Sequence, residues 1–530
     1  MKLRSSRTIL FWTAILCAIA LFGSLYGTPL EARVRVEEVE EELDDALKTF
    51  TTLLSLVEEH HATEVNPETA VYGAIDGMLR TLDPHSKFFT PDDFTRLRED
   101  QQGRYFGLGI TVSSRFGKVT VVSPPFPGAP AEKVGLRVGD VISHVNGEAT
   151  EGSDLNSVVG KLKGPRGTPV DVTIARPGVD EPLEITIVRD EIARFTISSA
   201  FHIRDGIGYI KLDSFAESTG SELRAALGDL RDSDLNGLIF DLRGNPGGLL
   251  QQAIDVSETF LQKDQAIVET RGRTSGSNRP YASKRDNDDN LYPLVVVINH
   301  QSASASEIVA GAIQDHDRGL IVGETSFGKG LVQSVFPLNK RAGLALTTQK
   351  WYTPSGRLIQ RDYSTISEFD YYNQRGTPPA PSENDIKYSD LGRIVYGGGG
   401  ITPDELVSMG ELNESQDVMD KRFVFYTYVQ EYLQDNPVVD VSFEVSDEMI
   451  ANFIAHIRER DIEITDAAVA ENQDYVALKI KYEIFYSRFG AAEATRVLLE
   501  GDEQILAALE LLPEAGTLAA RARGEIAQRR

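Results

Sequence analysis

The chain has 530 residues, of which 41% are hydrophobic and 25% are charged, and its formal net charge is −26. This length exceeds what one compact core normally holds, so we expect three or more domains. The acidity argues against nucleic acid as a partner, because phosphate binding needs clustered Lys and Arg side chains.

An apolar segment follows the basic N-terminus. Lys2, Arg4 and Arg7 precede an uncharged run that extends from Thr8 to Tyr26. Such a segment is typical of an export signal or of a single membrane anchor, and a bilayer crossing takes about 20 residues. We therefore expect residues 1–35 to be a membrane anchor or signal segment, with an uncleaved anchor favoured. Either interpretation places the rest of the chain outside the cytoplasm, on the periplasmic side of the cell envelope, and the favoured anchor would hold it in the inner membrane.

Residues 36–103 are predicted to be helical. Apolar residues recur at helical spacing between Leu43 and Val57. Pro67 can begin a second helix that extends to Leu82, and residues 83–86 form a turn. The single cysteine of the chain, Cys17, excludes an intramolecular disulfide and a cysteine metal site.

Residues 104–190 change in character, because short β-type runs alternate with glycines. About five strands and two short helices fit into this stretch, which predicts a small β-barrel-like domain.

Strand and helix signals alternate through residues 191–404. Uninterrupted apolar strands between helices predict a layered α/β core. Residues 405–530 are predicted to be a mostly helical C-terminal extension. Its aromatic-rich stretches favour a hydrophobic core or a subunit interface over a cofactor site. The predicted fold class is therefore multidomain α/β (α+β), with the β-rich domain inserted between the N-terminal helices and the core.

A run of three serines carries the strongest chemical signal. Ser302, Ser304 and Ser306 follow an apolar strand that ends at Asn299, and a helix begins among them. A serine at a strand-to-helix junction exposes its hydroxyl group, and the first helical turn has unpaired N–H donors. Such donors can stabilise a tetrahedral oxyanion.

A serine nucleophile also needs a base. His300 and His316 are poorly placed along the chain, whereas Lys329 lies in a loop that follows the next apolar strand. An amine among apolar neighbours loses affinity for its proton and can act as a base near neutral pH. Gln333 could hold that amine in place. The loop is not a phosphate-binding motif, because Gly330 occupies the position where that motif needs Ser or Thr.

The segments SASASEI and VGE-x-SFGKG-x-VQ together resemble the carboxyl-terminal processing (tail-specific) proteases. The resemblance implies that Ser304 is the nucleophile, that Lys329 is the base and that Gln333 orients the base. It leaves Ser302 and Ser306 structural, with Ser306 as a helix cap.

Three other segments fit the same family, and the resemblance covers residues 36–404. They are residues 83–86, residues 241–248 (DLRGNPGG) and residues 397–404 (GGGGITPD). The resemblance implies oxyanion donors at Ala305 and at either Gly248 or Gly247, between which the sequence does not choose. No metal or other cofactor is implied. Arg243 is interpreted as a structural ion-pair residue, and Glu307 and Glu324 as hydrogen-bonding scaffold.

Residues 104–190 resemble a PDZ domain. In that comparison, Gly107, Leu108, Gly109 and Ile110 form the loop whose backbone amides receive a peptide carboxylate. The segment that begins at Ile110 would be the strand edge to which a peptide tail adds. A PDZ fold that only supports the protease is the alternative.

The sequence thus predicts an envelope serine endopeptidase that recognises substrate C-terminal tails and cuts with a Ser–Lys dyad. The expected partners are protein or peptide substrates with exposed tails, and the membrane through the N-terminal segment. The sequence does not decide whether the protein forms a homo-oligomer or binds an adaptor protein. The alternatives are a non-catalytic, membrane-anchored PDZ scaffold and an amidase or esterase that uses the same dyad.

Overall fold

The computed structural model describes residues 42–529 except 275, 288–290, 339–340, 365, 374–382, 437 and 461. The predicted anchor or signal segment, residues 1–35, lies outside the described residues. Within the described ranges, no helix combines the length and the apolar character needed to cross a membrane. The chain divides into two compact units, Met1–Asp83 and Pro84–Arg530.

The first unit contains two described helices, α1 (residues 42–60) and α2 (Pro67–Arg80). Helix α2 begins where the sequence predicts, because Pro67 suits the first helical turn, where an N–H group would have no partner in any case. The side chain of Asn66 caps this helix by accepting hydrogen bonds from the N–H groups of Glu68 and Thr69.

The second unit opens with strand β1 (Lys87–Phe89) and helix α3 (Pro91–Gln102). The sequence predicts only helices here, whereas β1 joins a sheet of the core. The PDZ-like domain follows, and its elements in chain order are β2 (Arg104–Gly107), β3 (Val112–Arg115), β4 (Lys118–Val121), α4 (Pro130–Lys133), β5 (Val141–Val145), β6 (Glu148–Ala149), α5 (Leu155–Leu162), β7 (Pro169–Ala175), β8 (Leu183–Val188) and β9 (Asp190–Ala193).

The sheet of this domain has the order β3-β4-β5-β7-β8, with β6 beside β5, and β2 pairs with β9. Strand β3 therefore lies at a sheet edge.

The core extends from residue 197 to residue 406. Its elements in chain order are β10 (Ile197–Arg204), β11 (Ile207–Leu212), α6 (Thr219–Asp232), β12 (Gly237–Asp241), α7 (Leu250–Phe260), β13 (Ala266–Gly272), β14 (Arg279–Ala282), β15 (Leu294–Ile298), α8 (Ala305–Asp315), β16 (Leu320–Gly323), β17 (Leu331–Pro337), β18 (Gly343–Tyr352), α9 (Glu368–Asn373), β19 (Ile386–Tyr388), β20 (Ile394–Tyr396) and β21 (Glu405–Leu406).

The C-terminal part of the chain is helical, as predicted. It contains α10 (Glu414–Lys421), α11 (Val424–Asp435), α12 (Asp447–Glu459), α13 (Asp466–Glu471), α14 (Gln473–Phe489), α15 (Ala491–Leu499) and α16 (Glu503–Arg529). Its aromatic-rich stretches supply the hydrophobic centre of this bundle, where the rings of Phe425 and Phe453 stack with centroids 5.1 Å apart.

The central sheet of the core has the order β10-β11-β12-β15-β16-β21, and it is parallel from β11 onward. Successive strand residues face opposite sides. On one face, Phe240 and Val296 pack with α6, α7 and α8. On the other face, Ile239 and Val295 pack with α16, and burying side chains of this size stabilises the fold by roughly 2 kcal/mol each. Helix α16, which the sequence analysis places in a C-terminal extension, thus supplies the second layer of the core.

The parallel order brings three loops to one edge of the sheet. These loops follow the carboxyl ends of β12, β15 and β16, which are hydrogen-bonded neighbours. In open α/β sheets, ligands bind outside the carboxyl ends of parallel strands. The third loop continues into β17, a strand of the second sheet, which has the order β1-β18-β13-β14 with β17 also paired to β18.

Candidate active site

Ser304 is the residue at which the chain turns from strand β15 into helix α8. It is the N-cap residue of this helix, with φ 54° and ψ −108°. A positive φ is uncommon for a residue other than glycine, and a strained turn of this kind holds a side chain out from the end of a sheet. Gly247 is the close neighbour of this turn, because a Cβ atom on it would lie 2.8 Å from the Ala305 nitrogen.

The other two serines have structural contacts. The hydroxyl of Ser302 donates a 2.8 Å hydrogen bond to the carbonyl of Leu242. The hydroxyl of Ser306 donates a 3.0 Å hydrogen bond to the carbonyl of Asn245, a residue that is fully buried. The prediction that Ser306 caps the helix is wrong, because Ser304 is the residue that precedes the first helical turn.

Glu307 joins the serine loop to the lysine loop. One oxygen of its carboxylate accepts hydrogen bonds from the backbone N–H of Ser304 at 2.7 Å and of Lys329 at 2.9 Å. The other oxygen accepts from the N–H of Gly328 and the hydroxyl of Ser326, both at 2.6 Å. Two segments that are distant in the sequence are therefore held together by one carboxyl group.

This carboxyl group is completely buried. Burial raises the pKa of Glu307 above its ordinary value, and the four hydrogen bonds from the two loops offset that rise only in part. Each of these bonds replaces a lost contact with water, which is the condition for burying a carboxyl group without a large cost. The prediction of a scaffold role for Glu307 agrees with these contacts.

The amine of Lys329 donates a 3.0 Å hydrogen bond to the side-chain oxygen of Gln333. The amide nitrogen of Gln333 in turn donates to the backbone carbonyl of His85. His85 is held by a 2.9 Å hydrogen bond between its ring and the hydroxyl of Tyr371. The turn at residues 84–86, which the sequence analysis uses only as a family mark, thus fixes which end of Gln333 faces the lysine.

The structure distinguishes the two glycines that the sequence leaves open as oxyanion donors. The N–H of Gly247 donates to the side-chain oxygen of Asn245 at 2.9 Å and is therefore engaged. Within the described chain, the N–H groups of Gly248 and Ala305 donate no hydrogen bond. Gly248 and Ala305 are consequently the pair with donors available to a ligand.

A cavity of about 440 Å³ opens beside these residues, lined by Lys329, Ala303 and Pro246 together with His85, Phe327 and Arg361. His300 lies at the same cavity and pairs with Glu324 at 2.8 Å, whereas Lys329 belongs to the loop that Glu307 joins to the serine turn through the Lys329 backbone N–H. Arg243 forms ion pairs with Asp241 and Asp502, both at 2.7 Å, as the structural interpretation expects.

The predicted peptide-binding loop connects β2 to β3. Leu108 is buried, and Gly109 has φ +77° with Ala129 so near that a Cβ atom would approach within 2.3 Å of it. In the described chain, the N–H groups of Leu108, Gly109 and Ile110 donate no hydrogen bond, while Gly107 ends the pairing of β2 with β9. Strand β3 begins at Val112 rather than at Ile110. Strand β3 lies beside α5, and a sheet edge next to a helix is the kind of place to which an extended peptide can add as a further strand.

Sequence reasoning missed three residues at this site, namely His85, Asn245 and Arg361. Asn245 supports the turn through its side chain, which donates to Leu212 and accepts from Gly247. An Asn next to Pro and two glycines is a turn signal that could have identified it. No local pattern marks Arg361, because its environment is assembled from distant segments.

The described chain thus combines a parallel α/β core, with the serine turn at its strand ends, and a PDZ-like domain. A model of peptidase family S41 matches residues 206–366, and a PDZ domain model matches residues 121–176. A carboxy-terminal-processing protease of Bartonella bacilliformis is 42% identical over 318 residues, which are 59% of this chain and 72% of that protein. The carboxy-terminal processing protease CtpB of Bacillus subtilis is 35% identical over 327 residues, 61% of this chain and 68% of that protein.

Among solved structures, a photosystem II D1 C-terminal processing protease is 28% identical, with a TM-score of 0.34, and the match covers 67% of this chain and 86% of that one. From its similarity to the proteins of Bartonella bacilliformis and Bacillus subtilis, the chain belongs to the carboxy-terminal-processing protease family, a family of serine peptidases.

Proposed function

We propose that this protein is an endopeptidase in which Ser304 is the nucleophile, Lys329 is the general base and Gln333 orients the lysine. The observation that carries the proposal is the bridge at Glu307, which accepts hydrogen bonds from the backbone of both Ser304 and Lys329. A nucleophile and its base must stay in a fixed relation during catalysis, and a shared buried acceptor supplies such a relation.

In the first half of the reaction, the Oγ of Ser304 attacks the carbonyl carbon of the scissile peptide bond. The uncharged amine of Lys329 takes the hydroxyl proton as the new C–O bond forms. Negative charge develops on the former carbonyl oxygen, where the N–H groups of Ala305 and Gly248 can donate hydrogen bonds to it. When the C–N bond breaks, the lysine returns the proton to the leaving amine, and an ester to Ser304 remains.

In the second half, water attacks this ester. Lys329 accepts a proton from the water and passes it to the Oγ of Ser304 as the C–O bond to the enzyme breaks. The carboxylic acid product leaves, and both residues return to their starting state.

We further propose that the PDZ domain binds substrate tails through the amides of Leu108, Gly109 and Ile110 and the edge of β3. The free donors of this loop suit a terminal carboxylate, and the sheet edge suits an extended chain. The basic and apolar N-terminal segment supports a location in the cell envelope, with the catalytic part on the periplasmic side.

The test is a fluorogenic assay with casein and with a peptide that ends in a free apolar tail. Ser304→Ala and Lys329→Ala should each lower kcat/KM at least about 1,000-fold while tail binding persists, because the PDZ contacts are untouched. Ser221→Ala and Lys421→Ala change exposed residues on α6 and α10 and serve as matched controls that should retain activity.

Full cleavage by Ser304→Ala would refute the assignment of the nucleophile. Peptide binding without cleavage by the wild type would point to the scaffold alternative. Hydrolysis of small esters without peptide cleavage would point to an esterase.

A further inference from the structure

Arg361 is a buried cation at the catalytic cavity. Only 7% of its surface is exposed, and that surface lies at the cavity it shares with Lys329. Its backbone N–H donates a 2.9 Å hydrogen bond to the carbonyl of Gly328, which ties it to the lysine loop. Its guanidinium group lies 5.4 Å from the centre of the Phe327 ring. This charge is therefore held beside the loop that carries Lys329.

No described residue pairs with this charge. The Nε of Arg361 is buried without a hydrogen-bond partner, and no carboxylate within the described ranges lies in ion-pair distance of the guanidinium. Two other buried arginines of the core differ in this respect, since Arg357 pairs with Asp315 and Arg243 with Asp241. An unpaired buried charge is costly, and a stack on one aromatic ring offsets only part of that cost.

We infer that Arg361 binds a carboxylate of the substrate, so that the enzyme prefers peptides with a negative charge close to the scissile bond. This inference rests on the proposed function. A guanidinium group presents parallel N–H donors that match a carboxylate in geometry, and the surrounding cavity excludes much of the competing water. The carboxylate has two sources, which are an Asp or Glu side chain near the cleaved bond and the terminal carboxylate of a short tail.

The experiment uses internally quenched peptides that differ only in Glu or Gln at the three positions on either side of the cleaved bond. For the wild type, kcat/KM should be about tenfold to a hundredfold higher for Glu at one of these positions. In Arg361→Gln, the ratio of Glu to Gln peptide should fall to about one, and Arg361→Lys should give an intermediate ratio. A purely structural role would lower both rates without changing their ratio.

Arg271→Gln is the matched control, because Arg271 also lies over an aromatic ring, that of Tyr352, but is exposed and paired with Glu269. It should keep the wild-type ratio. Circular dichroism and thermal melting establish that each variant is folded, and Arg361→Lys preserves the test if Arg361→Gln does not fold.

A second peptide series separates the two carboxylate sources. It places a free or an amidated C-terminus one to four residues after the cleaved bond. If Arg361 binds the terminal carboxylate, amidation lowers kcat/KM in the wild type and has a smaller effect in Arg361→Gln. The contribution of the PDZ domain is the same in both proteins and cancels in this comparison.

Two negative results have different meanings. If the wild type cleaves the Glu, Gln, free and amidated peptides equally well, the inference about Arg361 is wrong and the proposed function stands. If the wild type cleaves none of these peptides or casein, the proposed function itself fails.

Discussion

The two ends of helix α8 differ in how their polar and charged groups are paired. At the N-terminal end, Ser304 has a strained backbone, and the N–H groups of Ala305 and Gly248 have no partner in the described chain. At the C-terminal end, buried carboxylates form ion pairs. The Nη2 of Arg357 pairs with Asp315 and also donates to Gln314, and its Nη1 donates to the carbonyl of Tyr396.

The C-terminal end is completed by a second buried pair. Asp317 accepts a 2.6 Å hydrogen bond from Arg393, and Arg393 also pairs with Asp404 at 2.6 Å. Both Asp315 and Asp317 are buried. Paired charges of this kind define one arrangement of chain segments, because breaking any pair leaves an uncompensated charge.

The comparison shows how one helix serves stability and reactivity at opposite ends. The ion pairs at the C-terminal end of α8 hold β16, the 353–361 segment and the 386–404 segment against the helix. This support allows the N-terminal end to keep a strained backbone and unpaired N–H groups. A strained backbone such as that of Ser304 persists only where many surrounding contacts hold it in place.

The largest expected effect comes from replacing the two non-glycine residues with positive φ that flank the helix, Ser304 (φ 54°) and Asp317 (φ 51°). Ser304→Gly should lower kcat/KM at least about 1,000-fold, yet raise the free energy of unfolding by about 1 kcal/mol, because glycine relieves the strain. Asp317→Gly should lower the free energy of unfolding by about 3 kcal/mol, because it removes the buried carboxylate that accepts hydrogen bonds from the Arg393 side chain and the Leu391 N–H and leaves Arg393 with Asp404 alone.

Urea unfolding and the peptide assay measure both changes. If Ser304→Gly and Asp317→Gly changed the free energy of unfolding equally and in the same direction, the proposed contrast between the helix ends would be wrong.

The second prediction concerns the buried ion pair of Arg357 and Asp315 at the C-terminal end of α8. Arg357→Met should lower the free energy of unfolding by about 3–5 kcal/mol, because it strands the charge of Asp315. The double variant Arg357→Met with Asp315→Leu should recover much of this loss, and a double-mutant cycle in urea gives the coupling energy. Independent, additive losses would show that the two residues do not act as a pair.

The third prediction concerns Glu307, which links the serine loop to the lysine loop. Glu307→Gln keeps the size of the side chain but turns an NH2 group toward N–H donors, so we expect a stability loss of about 1–3 kcal/mol. As a positioning residue, it should affect kcat more than KM, since it acts on the relation between nucleophile and base.

Glu258→Gln on α7 is the control for this prediction, because Glu258 is also buried in the core but lies outside the site. A lower stability with an unchanged kcat in both variants would contradict the positioning role.

The smallest expected effect is a pH dependence of stability that arises from His316 at the C-terminal end of α8. Burial alone would lower the pKa of His316, but hydrogen bonds to Asp390 and to the Ala266 carbonyl, together with the charges of Asp390 and Asp315, raise it above its ordinary 6.5. The protonated ring therefore stabilises the fold fully below pH 6.5, and this stabilisation is lost as the pH rises through the raised pKa. His316→Gln should flatten that part of the stability profile in urea titrations, and an unchanged slope would contradict the assignment.

Local patterns were sufficient for the fold class and for the run of three serines, from which the family resemblance selected Ser304 as the candidate nucleophile. The alternation of apolar strands and helices predicted a layered α/β core, and the serine run between a strand and a helix marked the reactive turn. Local patterns were insufficient where partners are distant. Strand β1 was missed because three residues have little periodicity of their own and pair with a strand more than 250 positions away.

The two oxyanion candidates show the same limit on a smaller scale. Gly247 and Gly248 are neighbours of the same type, so composition and spacing treat them alike. Only the folded turn shows that Asn245 engages the N–H of Gly247 and that Gly248 remains available.

The sequence by itself determined the order of the segments and the α/β character of the core, and it supplied the candidates for the reacting groups. The tertiary structure decided which of those groups keep unpaired donors and charges, as at Gly248 and Arg361, and which are joined, as at Glu307. The physical reason is that periodicity reflects contacts along the chain, whereas hydrogen bonding and burial of a side chain depend on segments that meet only after folding.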